Sequence, residues 1–162
     1  MKIRIIAFTA NGCRTAERIA AVLSEEAVEL WVKTTSPGAG LTPVVGPLRQ
    51  WTAEAFAYDA IVFVGAIGIA VREIAPFVVS KTTDPAVVGV DEHGRFAVPL
   101  LSGHIGGAND LARRIAAGIG AEPVVTTATD LNDRISIDAF AVARGLAIGS
   151  LAAAKDVASR VL

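Results

Sequence analysis

The chain has 162 residues, of which 52% are hydrophobic and 19% charged, and its formal net charge is −1. This length and a mean hydropathy of +0.52 predict one apolar domain with an ample core. The balanced charge argues against nucleic-acid binding, and the longest apolar run, residues 60–71, is too short to span a bilayer.

Cysteine and histidine counts limit the chemistry further. Cys13 is the only cysteine, which excludes an internal disulfide, and with two histidines a structural zinc site is not expected. Strand-like residues 3–8 follow Met1 directly, so we expect no signal peptide and a cytoplasmic protein without a membrane partner.

Apolar runs typical of strands alternate with helical patterns along the chain. The predicted strands are residues 2–8, 28–32, 60–64, 86–90, 95–101 and 123–125, and the predicted helices are residues 15–23, 48–56, 69–74, 108–119, 138–146 and 151–162. Residues 34–46, rich in Thr, Pro and Gly, predict a long loop that is either a lid or a mobile connection.

This alternation predicts an α/β fold, a three-layer Rossmann-like domain with a mostly parallel central sheet. The turn at residues 91–94 adds one antiparallel hairpin, and we assign its His93 no chemistry. The turn at residues 65–68 is not a dinucleotide-binding fingerprint, because the glycine spacing is wrong and no acidic residue follows at the usual distance.

Residues 98–110 are the most distinctive stretch, since a short apolar run ends at Ser-Gly-His and two glycines lead into a helical pattern. Ser102 is the predicted N-cap, and the N–H groups of the first helical turn would attract anions. One polar face of this helix would comprise Ser102, Gly106, Asn109 and Arg113. The alternative is a capped helix with a solvated face, in which the glycines only permit tight packing.

Four polar turns are expected to share the carboxyl edge of the sheet, namely residues 9–14, 65–72, 102–109 and 126–130. They predict a crevice lined by glycines, hydroxyls and a few cations, which suits a ligand with carboxylates or phosphates. The alternative for Arg72 is a surface residue paired with Glu73 or Asp59. The candidate binding residues are Gly65, Gly68, Arg72, Lys81, Ser102, Gly103, Gly106, Gly107, Asn109, Thr126, Thr127 and Thr129.

Several of these motifs, in this order, resemble the cobalamin biosynthesis protein CbiG family. The resemblance covers residues 59–146 closely and the first fifty residues loosely. It is carried by Gly-Ile-Ala-Val-Arg (68–72), Ile-Ala-Pro (74–76), Lys81, Asp-Pro-Ala-Val (84–87), Asp-Glu (91–92) with Gly94, Leu-Leu-Ser-Gly-His (100–104), Gly-Gly-Ala-Asn (106–109) and Pro-Val-Val-Thr-Thr-Ala-Thr-Asp (123–130).

The resemblance implies a hydrolase of the oxygen-independent route to vitamin B12. The family acts on a cobalt corrinoid, cobalt-precorrin-5A, opens its δ-lactone with water and releases a two-carbon fragment as acetaldehyde. Cobalt is expected only as part of the substrate, with no further cofactor.

The family resemblance also implies a domain division. Residues 1–146 would form the amino-terminal and central α/β domain, and residues 147–162 a helix or the start of a linker to a further domain. The alternative function is a non-catalytic domain that binds the corrinoid or a partner, such as a separate carboxyl-terminal CbiG-like chain. The sequence is also compatible with a homo-oligomer. A nucleotide-binding role is the third and least favoured function, since no phosphate-binding fingerprint matches.

Lactone opening requires an activated water and a stabilised oxyanion. The candidate base is His104 or Asp130, and the N–H groups of Gly106 and Gly107 are candidates for holding the oxyanion. Arg72 and the lysine of the binding set would anchor peripheral carboxylates. For His104 the alternative is a structural role, with its ring packed inward and bonded to a backbone carbonyl.

Overall fold

The computed structural model describes residues 1–34 and 40–128, together with residues 141, 144, 146, 149, 150, 153, 156 and 157. The strands are β1 (Lys2–Ala7), β2 (Ala27–Val32), β3 (Thr42–Pro43), β4 (Ala60–Val64), β5 (Ala86–Val90), β6 (Phe96–Leu101) and β7 (Glu122–Pro123), and the helices are α1 (Ala10–Val22), α2 (Leu48–Ala55), α3 (Ile67–Ile74) and α4 (Ala108–Ile119). The predicted helices at 138–146 and 151–162, and the domain boundary between them, fall almost wholly outside these residues.

All seven strands join one sheet in the order β3-β2-β1-β4-β5-β6-β7. Every neighbouring pair is parallel except β5 and β6, which run antiparallel. The chain therefore winds outward from β1 in one direction and from β4 in the other, as in a doubly wound fold. The mostly parallel α/β sheet with one antiparallel hairpin is confirmed.

Alternating side chains of the central strands fill two cores. On β1, Ile3 and Ile5 belong to the core that also contains the buried residues of α1 and α4. Ile6 points to the opposite face, where it joins Trp51 of α2 and Ala70 of α3. Because successive side chains of a strand alternate between faces, one apolar strand supplies both layers of helices. No helix within the described ranges is long and apolar enough to cross a membrane.

Arg4 is a charged residue in the middle of the buried strand β1, only 9% exposed. Its Nε donates to Glu29 Oε2 at 2.9 Å, and its guanidinium lies 4.2 Å from the ring centre of Tyr58. Burial raises the pKa of Glu29, but hydrogen bonds from the Tyr58 hydroxyl and from Arg4 outweigh it and lower that pKa overall. The paired charge and aromatic contacts offset the cost of removing Arg4 from water.

Helix α1 begins five residues before the predicted start at residue 15. Thr9 is its N-cap, and the Thr9 hydroxyl accepts a hydrogen bond from the N–H of Gly12 at 3.0 Å. The polar residues that resemble a loop are therefore the cap and first turn of the helix. Pro76 lies within a 3-10 turn, Ala75–Phe77, that continues α3 rather than ending it abruptly.

The hairpin turn between β5 and β6 is held by the side chain of Asp91. Its carboxylate accepts hydrogen bonds from the N–H groups of His93 at 3.0 Å, Arg95 at 2.7 Å and Phe96 at 2.8 Å. Gly94 completes the turn with a φ of +68°, a conformation that glycine adopts at little cost. One carboxylate thus satisfies three backbone donors of the turn.

The contact between α1 and α4 provides a first test. A Cβ on Gly118 would lie 2.3 Å from Val22 Cγ2, so Gly118→Ala should force the two helices apart and destabilise the protein by about 1–3 kcal/mol. This change lowers the melting temperature by roughly 2–4 °C per kcal/mol at this size. The matched control is Gly68→Ala in α3, where no atom lies within 4 Å of the added Cβ. Equal melting temperatures for the two variants would contradict the close contact.

The Asp91 carboxylate provides a second test, through pH. Burial raises its pKa, but the backbone hydrogen bonds and Arg95 outweigh this and lower the pKa from 3.8. A lowered carboxylate pKa stabilises the fold above the unfolded value, and this stabilisation is lost as the pH falls through the folded value. We expect Asp91→Asn to unfold about 1 kcal/mol more easily at neutral pH, with the difference shrinking below about pH 4.

Urea unfolding of both proteins across this pH range measures the effect. The control is Asp110→Asn, since Asp110 is 83% exposed and solvent screens its ion pair with Arg113, at 3.1 Å. A difference between wild type and Asp91→Asn that stays constant down to acid pH would show that the carboxylate charge does not stabilise the turn.

Candidate functional site

The loops that follow β1 and β4 diverge and open a crevice between them. After β1 the chain enters α1 on one face of the sheet, and after β4 it enters α3 on the other face. In doubly wound sheets this topological switch point, at the carboxyl ends of the strands, is the usual place of ligands. The carboxyl-edge crevice has a volume of about 530 Å³ and is lined by Phe8, Thr9, Gly65, Ala66, Ile69, Asp91, Glu92, His93 and Arg95.

Hydrogen bonds to α1 fix the hairpin turn over this crevice. The Thr9 hydroxyl donates to Glu92 Oε2 at 2.6 Å, and the Thr15 hydroxyl donates to the Glu92 carbonyl at 2.8 Å. The other carboxylate oxygen, Glu92 Oε1, lies 3.5 Å from Nε2 of His93. A carboxylate and an imidazole are therefore held together at the mouth of the crevice, with the His93 side chain 58% exposed.

The opposite wall of the crevice is the start of α3. A Cβ at Gly65 would lie 3.0 Å from the Phe8 ring, so the absence of a side chain lets that ring approach. Ala66 precedes α3 and provides no side-chain cap, and a Cβ at Gly68 would have no neighbour within 4 Å. The N–H groups at this helix start can attract an anion or a developing negative charge.

Residues 102–109, which we call the amino-edge turn, lie at the other edge of the sheet. Because β6 is antiparallel to β5, Leu101 pairs with Val87 near the start of β5. The Ser102 hydroxyl accordingly donates to the carbonyl of Asp84, just before β5, at 3.0 Å. The polar turns therefore occupy two edges, and the prediction of one shared edge is wrong.

Thr126 and Thr127 come after β7 and lie at the same edge of the sheet as the amino-edge turn, because β7 runs parallel to β6. The Asn109 side-chain amide donates to the Thr127 hydroxyl at 3.0 Å, whereas Thr126 is exposed. Thr129 and Asp130 lie outside the described residues, so their predicted roles stay predictions.

The amino-edge turn has an unusual backbone. Ser102 has a φ of +56°, the one positive value outside glycine in the described part of the chain. Such a conformation is strained for a residue with a side chain and persists where the surroundings impose it. Space is also tight, since a Cβ on Gly106 would lie 2.4 Å from the Ser102 side chain, and one on Gly103 would lie 2.8 Å from Asn109 Oδ1.

Helix α4 starts at Ala108, with Gly107 rather than Ser102 as its N-cap. Ser102 is buried and precedes the helix, so the predicted polar face that included Ser102 and Gly106 does not form. The N–H of Gly107 already donates to the His104 carbonyl at 3.1 Å, and that of Asn109 to the Gly103 carbonyl at 3.0 Å. The N–H of Gly107 is thus engaged within the turn, and the oxyanion role of Gly106 and Gly107 stays a prediction.

The remaining predicted site residues are spread over the surface. His104 is half-buried within the amino-edge turn, and Lys81 is exposed in the turn before β5, toward the same edge. Arg72 is exposed in the last turn of α3, away from the carboxyl-edge crevice. Glu73, its expected partner, pairs with Arg49 at 3.4 Å instead. The binding roles of these residues stay predictions.

The second partner expected for Arg72 also binds elsewhere, and the crevice contains two residues that the sequence analysis does not select. Asp59, the second partner expected for Arg72, accepts a hydrogen bond from the Lys2 N–H at 2.7 Å. Gly65 lines the carboxyl-edge crevice, and Gly68 is in the first turn of α3 beside it. Glu92 and His93 were not predicted as site residues, although a polar pair directly after a buried parallel strand indicates the ligand-binding edge.

Comparison with known proteins assigns the chain to a family. A model described as cobalamin synthesis G N-terminal matches residues 50–130, half of the 162-residue chain. A cobalt-precorrin-5A hydrolase of Salmonella typhimurium is 38% identical over 99% of this chain and 45% of its own length. The enzyme of the same name from Priestia megaterium is 34% identical over 84% of this chain and 37% of its own length.

A solved structure supports the same assignment. A cobalamin biosynthesis protein G homologue from Sulfolobus solfataricus matches with a TM-score of 0.60 and 30% identity, over 86% of this chain and 39% of the other. The chain thus spans less than half the length of the curated relatives named above. The chain belongs to the cobalamin synthesis G N-terminal family.

Proposed function

We propose that this chain takes part in cobalamin biosynthesis as part of a cobalt-precorrin-5A hydrolase. The reaction is the opening of the δ-lactone of the corrinoid by water, followed by release of acetaldehyde, in the anaerobic route. Relatives named cobalt-precorrin-5A hydrolase support the substrate. The cobalt belongs to the corrinoid substrate and requires no metal ligand from the protein.

The observation that carries this proposal is the carboxyl-edge crevice. It places a carboxylate–imidazole pair, Glu92 and His93, on one wall and the uncapped start of α3 on the other. Ester and lactone hydrolysis need a base for the attacking water and a positive environment for the oxyanion. The acetate and propionate groups along the rim of a corrinoid suit the same helix start. The crevice would receive the lactone-bearing part of that rim.

A second candidate is a domain that binds the corrinoid or a partner chain without catalysis. Val79 is 84% exposed and Val78 45% exposed, next to the 3-10 turn after α3. Exposed aliphatic side chains of this kind can form part of a protein interface. The occupant would be a separate carboxyl-terminal CbiG-like chain or a second copy of this chain, and catalysis would require the assembled protein.

The experiment is an acetaldehyde assay with cobalt-precorrin-5A. The chain is incubated with substrate alone, and again with the carboxyl-terminal part of the Salmonella typhimurium relative supplied as a separate chain. We expect one acetaldehyde per corrinoid in at least the second mixture, measured by coupling to alcohol dehydrogenase. The carboxyl-terminal part alone is the control for activity that does not depend on this chain.

The same mixtures separate the two candidates. Release of acetaldehyde by the chain alone supports a hydrolase that is active without a partner. A change in the corrinoid absorption spectrum on adding the chain, with release only in the second mixture, supports the binding role. No release in either mixture would contradict the proposed hydrolase.

A further inference from the structure

The two histidines of the chain lie at opposite edges of the sheet. His93 lines the carboxyl-edge crevice, at the end of the hairpin that extends from β5. His104 lies in the amino-edge turn, beyond the end of β6. Since an imidazole is the side chain best suited to proton transfer near neutral pH, the position of each ring relative to the crevice decides which of them can meet the substrate there.

We propose that His93 is the general base that activates water in the carboxyl-edge crevice, and that Glu92 is the residue that positions it. This inference rests on the proposed function and adds the residues that perform it. It replaces His104 as the base, and it places the oxyanion at the start of α3 instead of the start of α4.

Glu92 is suited to this role because both of its ends are anchored. Thr9 binds one carboxylate oxygen at 2.6 Å and Thr15 binds the backbone carbonyl at 2.8 Å, so α1 fixes the residue from two directions. The remaining oxygen lies 3.5 Å from His93 Nε2, a distance that a bound substrate can shorten. A proton on Nε2 then leaves Nδ1 as the basic nitrogen.

The reaction balances with water as the only co-reactant. His93 Nδ1 takes a proton from water as the water oxygen bonds to the lactone carbonyl carbon. The carbonyl oxygen becomes an oxyanion that the N–H groups at the start of α3 stabilise. The carbon–oxygen bond of the lactone ring then breaks, and the departing oxygen takes the proton from the imidazolium. The products are a carboxylic acid and an alcohol on the opened ring.

Glu92 is the acidic side chain that lies against the His93 ring. Glu92 faces the ring directly, while the Asp91 carboxylate is occupied by the backbone of the turn. Arg95 also lines the crevice, but its side chain is 71% exposed and lies 3.6 Å from Asp91. On α1, Arg18 comes close to Gly94 but donates to the Ile119 carbonyl. The one carboxylate in contact with the His93 ring thus belongs to Glu92 in the described part of the chain.

The first experiment locates the corrinoid without relying on turnover. Backbone amide signals of the isotope-labelled chain are followed by nuclear magnetic resonance during titration with cobalt-precorrin-5A. We expect shifts at Thr9, Gly65, Ala66, Glu92 and His93, at the carboxyl edge. Shifts confined to residues 102–109 would overturn the inference and leave the proposed function standing, because the corrinoid would then bind at the other edge.

The second experiment tests the base by turnover in the mixture that contains the carboxyl-terminal part. His93→Ala should lower kcat about 100-fold with little change in KM, as expected for loss of a general base. Added imidazole should restore part of this rate, since the His93 side chain is 58% exposed and its place is open to a small molecule. A purely structural role for His93 would show no such rescue.

Glu92→Gln and two further variants complete the series. Glu92→Gln should lower kcat at least about tenfold and change the pH dependence of the rate, whereas Glu25→Gln, an exposed residue after α1, serves as the matched control. If His104→Gln is slow while His93→Ala is near normal, the inference fails and the hydrolase stands. If the wild-type mixture releases no acetaldehyde, the proposed function fails and the inference with it.

Discussion

The antiparallel pairing of β6 with β5 determines where every polar turn of this domain lies. Val90 pairs with Ala97 and Val87 with Leu101, so the chain reverses once in an otherwise parallel sheet. The reversal keeps the hairpin turn with the ends of β1 and β4, and it carries residues 102–109 to the opposite edge. Two separate polar surfaces result, one open as a crevice and one closed by its own hydrogen bonds.

Local signals were sufficient to predict most of the fold. The apolar runs at 60–64 and 86–90 coincide with β4 and β5, and the hairpin was predicted from its turn residues. That hairpin already implies that β6 ends at the amino edge, so the arrangement of the polar turns at two edges could be predicted from the sequence. The contact of Glu92 with Thr9 was not, because it joins residues 83 positions apart and depends on the packing of α1 against the turn.

The start of α4 shows a different limit on prediction. Serine is a preferred N-cap residue, but the Ser102 hydroxyl donates to the Asp84 carbonyl and the backbone of Ser102 adopts a positive φ. Both features depend on the position of a neighbouring strand, which local sequence patterns do not give. A serine with a backbone in the left-handed region is also uncommon, so no local pattern predicts it. The resulting lack of space leaves no room for a Cβ at residues 103 and 106.

The cluster around Arg4 has a spectroscopic consequence. The two tryptophans of the chain, Trp31 on β2 and Trp51 on α2, lie with ring centres 6.2 Å apart, and both contact the Arg4 guanidinium. All indole emission therefore comes from one side of the sheet. During unfolding by a denaturant, tryptophan fluorescence reports the loss of this cluster, whereas far-ultraviolet circular dichroism reports the loss of all the helices. Coincidence of the two curves would mean that the sheet opens as a single cooperative unit.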